Sequence, residues 1–223
     1  MAEIFKPEHS TIGTQQTLKE ISKRIYDDDE IKEFNMMEAI NEHPLAKRPT
    51  NIRSKLAYKE LLNNATKTTK YLLPGSLCMF YYQEPKLKEE LEYYDATPMT
   101  LFVGITRTKD NNIREIGINL HYFPPFTRAR IIEHSYEVFR PWFDKNFNEI
   151  TGKPNTFISY KALTAIMKRN TKLAFGIKMY IPVLRGASWV IPTRLFPTAF
   201  FTEGHFSHAT LAKVFHFWRQ FKQ

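Results

Sequence analysis

Thiols are almost missing from this chain. Cys78 is the only cysteine, which excludes an intramolecular disulfide and a multi-thiolate metal centre. Glycine is sparse as well: the eight residues are scattered singly, without the clusters that a phosphate-binding P-loop or a dinucleotide fingerprint needs. No apolar run approaches the ~20 residues required to span a bilayer. The opening MAEIFKPEHS lacks the basic-then-apolar layout of a secretory leader. The expectation is a protein that folds in a reducing, aqueous compartment and has no membrane partner.

Acidic residues are scarce in one place. Residues 151–223 carry 11 Lys/Arg against the single acid Glu203, whereas 1–73 carry 12 against 11 and 74–150 carry 9 against 11. The net charge of +9 therefore sits in the last third. Such asymmetry suits an anionic partner, nucleic acid first or else an acidic protein surface. A basic surface kept for solubility alone is the plain alternative.

What is abundant is aromatic. Eighteen Phe and eleven Tyr exclude a disordered chain, whose composition avoids them. The first third reads as helical: Thr14 or Thr17 caps a helix to Ile25, and the run Asp27–Glu30 suits the positive start of a second. That second helix carries Ile31, Phe34, Met37 and Ile40. After the HPLAKRP linker, a third runs from Ile52 to about Thr66 with Ile52, Leu56 and Leu61 as its apolar face. From Pro74-Gly75 the pattern turns to strands: Leu77 to Tyr82, Thr100 to Ile105 and Ile116 to Phe123, the latter two joined by a polar loop at Asp110, Asn111 and Asn112. Gly75, Gly104 and Gly117 fall at strand starts or kinks. Helices follow from Arg128 to Phe139, after Ser159, and from Ser207 to about Phe221, while Lys172 to Phe201 is broken by Pro182, Pro192 and Pro197 and reads as irregular. The fold class is α+β: a small antiparallel sheet, open or curled into a barrel, flanked by helices. The expected organisation is a helical N-terminal arm, 1–73, and an α+β core domain, 74–223.

A catalytic set is hard to assemble. There is no G-x-S-x-G elbow, and Cys78 lies within an apolar strand, where a thiol is usually inert. His205, His208 and His216 read as capping or packing residues, since no zincin pattern accompanies them. Asp95, after Tyr93 and Tyr94, reads as one buried polar contact at a sheet edge. Asn119 and His121 share a strand face and, if buried, must be hydrogen-bonded. No enzyme, cofactor, metal or small-molecule substrate is expected. The better lead is cationic. Lys168, Arg169, Lys172, Lys178, Arg185 and Arg194 interleave with Phe175, Tyr180, Trp189 and Phe196, a pattern suited to phosphate contact with base stacking. It also suits a core segment whose cationic tips snorkel outward. No sequence-reading motif such as a helix-turn-helix is present.

The segments PGSLCMFYY, EYYDATPMTLFVG, IGINLHYFPPFTRARII, ISYKAL and GIKMYIPVLRGASWVIPTRLFPTAFF together resemble, over about residues 74–206, the DNA end protector family of T-even-like phage virions. Residues 1–73 carry no such resemblance. The resemblance implies a structural protein of the virion, present in a few copies at the head–tail region, that sits on the ends of the packaged double-stranded DNA and shields them from host exonuclease. The helical arm keeps a second reading open: a protein–protein connector of the neck, tail or baseplate, whose basic third meets other virion proteins.

Overall fold

The computed structural model describes residues 35–69, 72, 75–108, 110–133, 161, 168 and 171–220. Helix α1 (Asn35–Glu42) leads through a 3-10 turn (Pro44–Lys47) into α2 (Thr50–Asn64). Strands β1 (Thr66–Thr68) and β2 (Leu77–Phe80), the short α3 (Pro85–Glu90), β3 (Met99–Arg107) and β4 (Ile113–Asn119) follow. After a 3-10 turn (Leu120–Tyr122) and helical residues 125–133 come α4 (Thr171–Gly176), β5 (Ile177–Tyr180), α5 (Pro182–Arg185) and β6 (Ser188–Val190). A 3-10 turn (Thr193–Leu195), α6 (Phe196–Phe200) and α7 (Leu211–Gln220) close the described chain. Among the described residues no helix is long and apolar enough to cross a membrane.

The six strands form one sheet in the order β1-β6-β2-β3-β4-β5, antiparallel at every pairing. It ends in β1 and β5 without closing, so the sheet is open and not a barrel. Residues 172–201, expected to be irregular, supply two of its strands: β5 extends it beyond β4 and β6 is inserted between β1 and β2. Strands of three or four residues between prolines show too little alternation to be recognised from sequence. The expected third strand also stops early: Asn119 ends β4, its side chain accepts the His121 backbone N–H at 3.0 Å, and the chain enters the 3-10 turn.

Both faces of the sheet are buried. Leu77, Met79, Met99, Leu101, Val103, Ile116 and Ile118 face a helical layer that brings in Ile40, Leu61, Phe196 and Val214. Cys78, Phe80, Phe102, Ile105, Tyr180 and Val190 face the other side under Leu72, Tyr82 and Tyr94. Val103 and Ile105 lie on opposite faces although they are two residues apart. A bulge between Phe102 and Gly104 inserts the extra residue that inverts the alternation, and Gly104 takes a φ of 154° there. In α2 the buried residues are Ser54, Ala57 and Leu61, while Ile52 and Leu56, expected on the inner face, are exposed. Small side chains let α2 approach α6 closely, and apolarity alone did not decide the face. Of the second expected helix, Met37 and Ile40 pack on the core. Ile31, Phe34 and everything before them lie outside the described residues, as do Ser159 and the expected end of the Arg128 helix.

Gly117 is required by close approach: a Cβ there would meet Thr100 Cγ2 at 2.0 Å and the Leu101 carbonyl at 3.3 Å. Thr100 cannot swing aside without giving up its hydroxyl contact with Tyr180, 3.3 Å. Gly117→Ala is therefore expected to cost about 1–3 kcal/mol in urea unfolding, as overpacking does. Combining it with Thr100→Ser, which removes the clashing methyl and keeps the hydroxyl, is expected to recover most of the loss.

Candidate nucleic-acid interface

The six cations singled out by sequence have different fates. Lys168 is exposed on a helical residue, as is the neighbouring Lys161, and Arg194 is exposed on its 3-10 turn. Arg169 lies outside the described residues. Lys172 on α4 extends over the Trp218 ring of α7, 5.5 Å from its centroid. Lys178 on β5 places its ammonium 4.0 Å from the centre of the Tyr122 ring and 5.5 Å from Phe175. Burial lowers the Lys178 ammonium to about 8, against the opposing pull of Asp95. Arg185 turns inward: Nε donates to Glu115 Oε2 at 2.6 Å, Nη2 to Oε1 at 3.1 Å, and Nη1 to the Ser188 hydroxyl. Both members of this ion pair are nearly inaccessible, at 2% and 1% side-chain exposure.

Lys172 and Lys178 thus border one aromatic cluster. Tyr122 packs edge-on against Phe175 and Phe206 at 5.4 and 5.2 Å, Tyr93 lies 5.1 Å from Phe217, and Trp218 meets Phe123. A cation over an aromatic face is attracted by the ring quadrupole, so both lysines are held in place at the rim of the cluster.

Beneath the cluster lies a buried polar network. Asp95 pairs with Phe206 through an isolated β-bridge, and its carboxylate receives Asn119 Nδ2 at 2.9 Å, His121 Nδ1 at 2.8 Å and the Thr97 N–H at 3.2 Å. Asp95, Asn119 and His121 are each at most 5% exposed. The sequence flags all three as buried polar groups, and the structure makes them one another's partners. His121 Nε2 lies 3.1 Å from the Thr202 hydroxyl. Arg128 donates to four carbonyls, those of Leu120, Phe123, Phe200 and Thr202. Burial lowers the imidazole of His121, partly opposed by Asp95. The Asp95 carboxyl is pushed up by burial but held below its ordinary value by His121, Asn119 and the Thr97 N–H. The aspartate–histidine–hydroxyl order has the connectivity of a nucleophilic triad, with the His121 and Asp95 side chains 0% and 1% exposed and Thr202 buried. His205 packs on Tyr58 at 5.8 Å and His208 lies 3.1 Å from the Lys88 carbonyl. Cys78 is buried and burial pushes its thiol up, which leaves it inert.

Two outcomes follow. Below pH 6.5 the unfolded chain protonates a histidine that the fold keeps neutral, and below about 4 it protonates a carboxylate that the fold keeps charged. Both effects make stability fall with acid, by up to about 1.4 kcal/mol per pH unit per group. His121→Gln is expected to flatten the slope just below pH 6.5, where His43, which burial also lowers, still contributes. Glu115 and Glu203, which burial raises, act with the opposite sign at lower pH. Glu115→Ala, which strands the Arg185 charge, is expected to cost about 3–5 kcal/mol in urea unfolding, and the pair Glu115→Leu/Arg185→Met much less.

Comparison with curated proteins gives no match, and comparison with solved structures gives none. The family described as phage T4 terminal DNA protecting protein matches residues 11–185. That match takes in most of the N-terminal third, where the sequence showed no resemblance, and stops short of the residue 206 reached by the segments above. With more than half of its length matched, the chain belongs to the family of the phage T4 terminal DNA protecting protein.

Proposed function

We propose that the chain is a non-enzymatic structural protein of the virion that binds the end of the packaged double-stranded genome near the head–tail region, through contacts to the DNA backbone. The observation that carries this reading is membership of the terminal DNA protecting family. The charge distribution supports it, because 11 of the 12 charged residues in 151–223 are Lys or Arg. Lys168, Arg169, Lys172 and Arg194 are the phosphate-contacting residues of this reading, and Lys178 joins them at the rim of the aromatic cluster. Arg185 drops out of the contact set, since its charge is matched inside the fold by Glu115. Sequence-independent binding follows from the chemistry, because lysine and arginine on phosphates carry no base information.

Affinity of the purified protein for blunt-ended linear DNA is expected to exceed that for closed circular DNA and to fall steeply with salt, as each neutralised phosphate releases a counterion. Lys168→Ala/Arg169→Ala/Lys172→Ala is expected to fold normally and to make the log–log salt slope shallower by between about 2 and 3, at about 0.9 per contact. Absence of binding at low salt would overturn the reading in favour of a connector whose basic surface meets an acidic virion protein.

A further inference from the structure

A groove of about 510 Å³, lined by none of the six cations singled out above, runs between α2 and strands β2 and β6. Its floor is apolar and aromatic. Met79 and Trp189 are register partners across β2 and β6, and Lys67 is the register partner of Trp189 across β1 and β6. These three residues form one row on the same side of the sheet. Lys67 Nζ stands 5.6 Å from the Trp189 ring. Tyr81, 55% exposed, meets Trp189 at 5.7 Å with the ring planes at 90°. The two rings make a right-angled corner, with Tyr81 exposed and Trp189 half-buried. From the opposite wall α2 contributes Lys55 and Lys59, four residues apart and so on one side of the helix. None of the described residues lining the groove is acidic.

From this arrangement we infer that the groove takes one or two unpaired nucleotides at the DNA terminus, stacking a base in the Tyr81–Trp189 corner and holding its phosphate with Lys55 and Lys59. The volume is that of a small-ligand site. Exposed aromatic faces beside lysines are how single strands are bound without regard to sequence, since every base has a π-face. An acidic peptide would use the lysines but leave the aromatic corner unfilled. The inference rests on the end-binding reading, and it assigns to the N-terminal third, whose charges nearly cancel overall, a direct part in recognising the end.

The test uses the full-length protein and a duplex carrying 2-aminopurine at the tip of a short single-stranded overhang, with an internal label reporting binding to the duplex body. The tetranucleotide dT4 and hexaglutamate are titrated in parallel. The expected result is quenching of the terminal base by wild type, loss of that quenching in Tyr81→Ala and in Lys55→Ala/Lys59→Ala, duplex affinity changed less than about twofold, and dT4 binding weakened about tenfold by Tyr81→Ala. Full quenching in both variants would overturn the groove while leaving end binding intact. Tyr81-dependent binding of dT4 without duplex binding would overturn end binding and leave the groove standing. Hexaglutamate competing as well as dT4 would reassign the groove to an acidic protein segment.

Discussion

The buried carboxylate of Asp95 is the centre of the polar network that joins the sheet to the turn beyond β4. A charge held in an apolar interior is tolerable only when donors surround it, and here a local backbone donor is joined by two side chains from more than 20 residues away. Asn119 is the last residue of β4, His121 sits in the turn beyond it, and Thr97 lies in the segment that leads into β3. Through Thr202 and Arg128 the same network ties helical residues 125–133 to the end of α6. The turn it fixes contains Tyr122, whose ring receives Lys178 and packs on Phe175 and Phe206. The cationic and aromatic rim of the candidate interface is therefore built on an interior ion whose own chemistry is silent.

The second buried ion pair bears on function by subtraction. Arg185 belongs by sequence to the basic third, yet with Glu115 it closes α5 against β4. Lys178 is half-buried, with its ammonium over Tyr122. The exposed positive charge of the basic third is thus narrower than the sequence total; among the described residues it includes Lys161, Lys168, Arg194 and Arg219, with Lys172 half-buried beside Trp218. Lys55, Lys59 and Lys67 form a separate positive border around the aromatic groove on the helical side of the sheet. In the proposed reading the first basic region meets the duplex backbone and the second the unpaired bases of an end.

Much of this fold was legible in the sequence. The strands expected over Leu77 to Tyr82 and Thr100 to Ile105 announced themselves through aromatic and β-branched residues and form as Leu77–Phe80 and Met99–Arg107, and the loop at Asp110–Asn112 does hold Asn111 at a φ of 63°. Strands β1, β5 and β6 were not legible, because they owe their conformation to partners far away in sequence and not to their own alternation. Period-two alternation through Ile116–Phe123 could not reveal that the Asn119 side chain bends the chain at residue 120. Of the expected apolar face of α2, Leu61 is buried, but Ser54, whose hydroxyl accepts the Glu203 N–H, and Ala57 are buried where Ile52 and Leu56 were expected. At the site, Asp95, Asn119 and His121 were each recognisable as polar groups destined for burial, but their partnership spans 24 and 26 residues. Arg185 looked like its cationic neighbours because its carboxylate lies 70 residues upstream.

The central claim is that this chain covers DNA termini. It is tested most directly by incubating linear duplex DNA with saturating protein and then adding a processive double-strand exonuclease, with the loss of full-length DNA followed over time. The account predicts that the linear DNA survives, that protection disappears at high salt, and that cutting the protected DNA internally restores digestion from the new, uncovered ends. Digestion at the rate of naked DNA, under conditions where the protein is folded and in excess over ends, would contradict it.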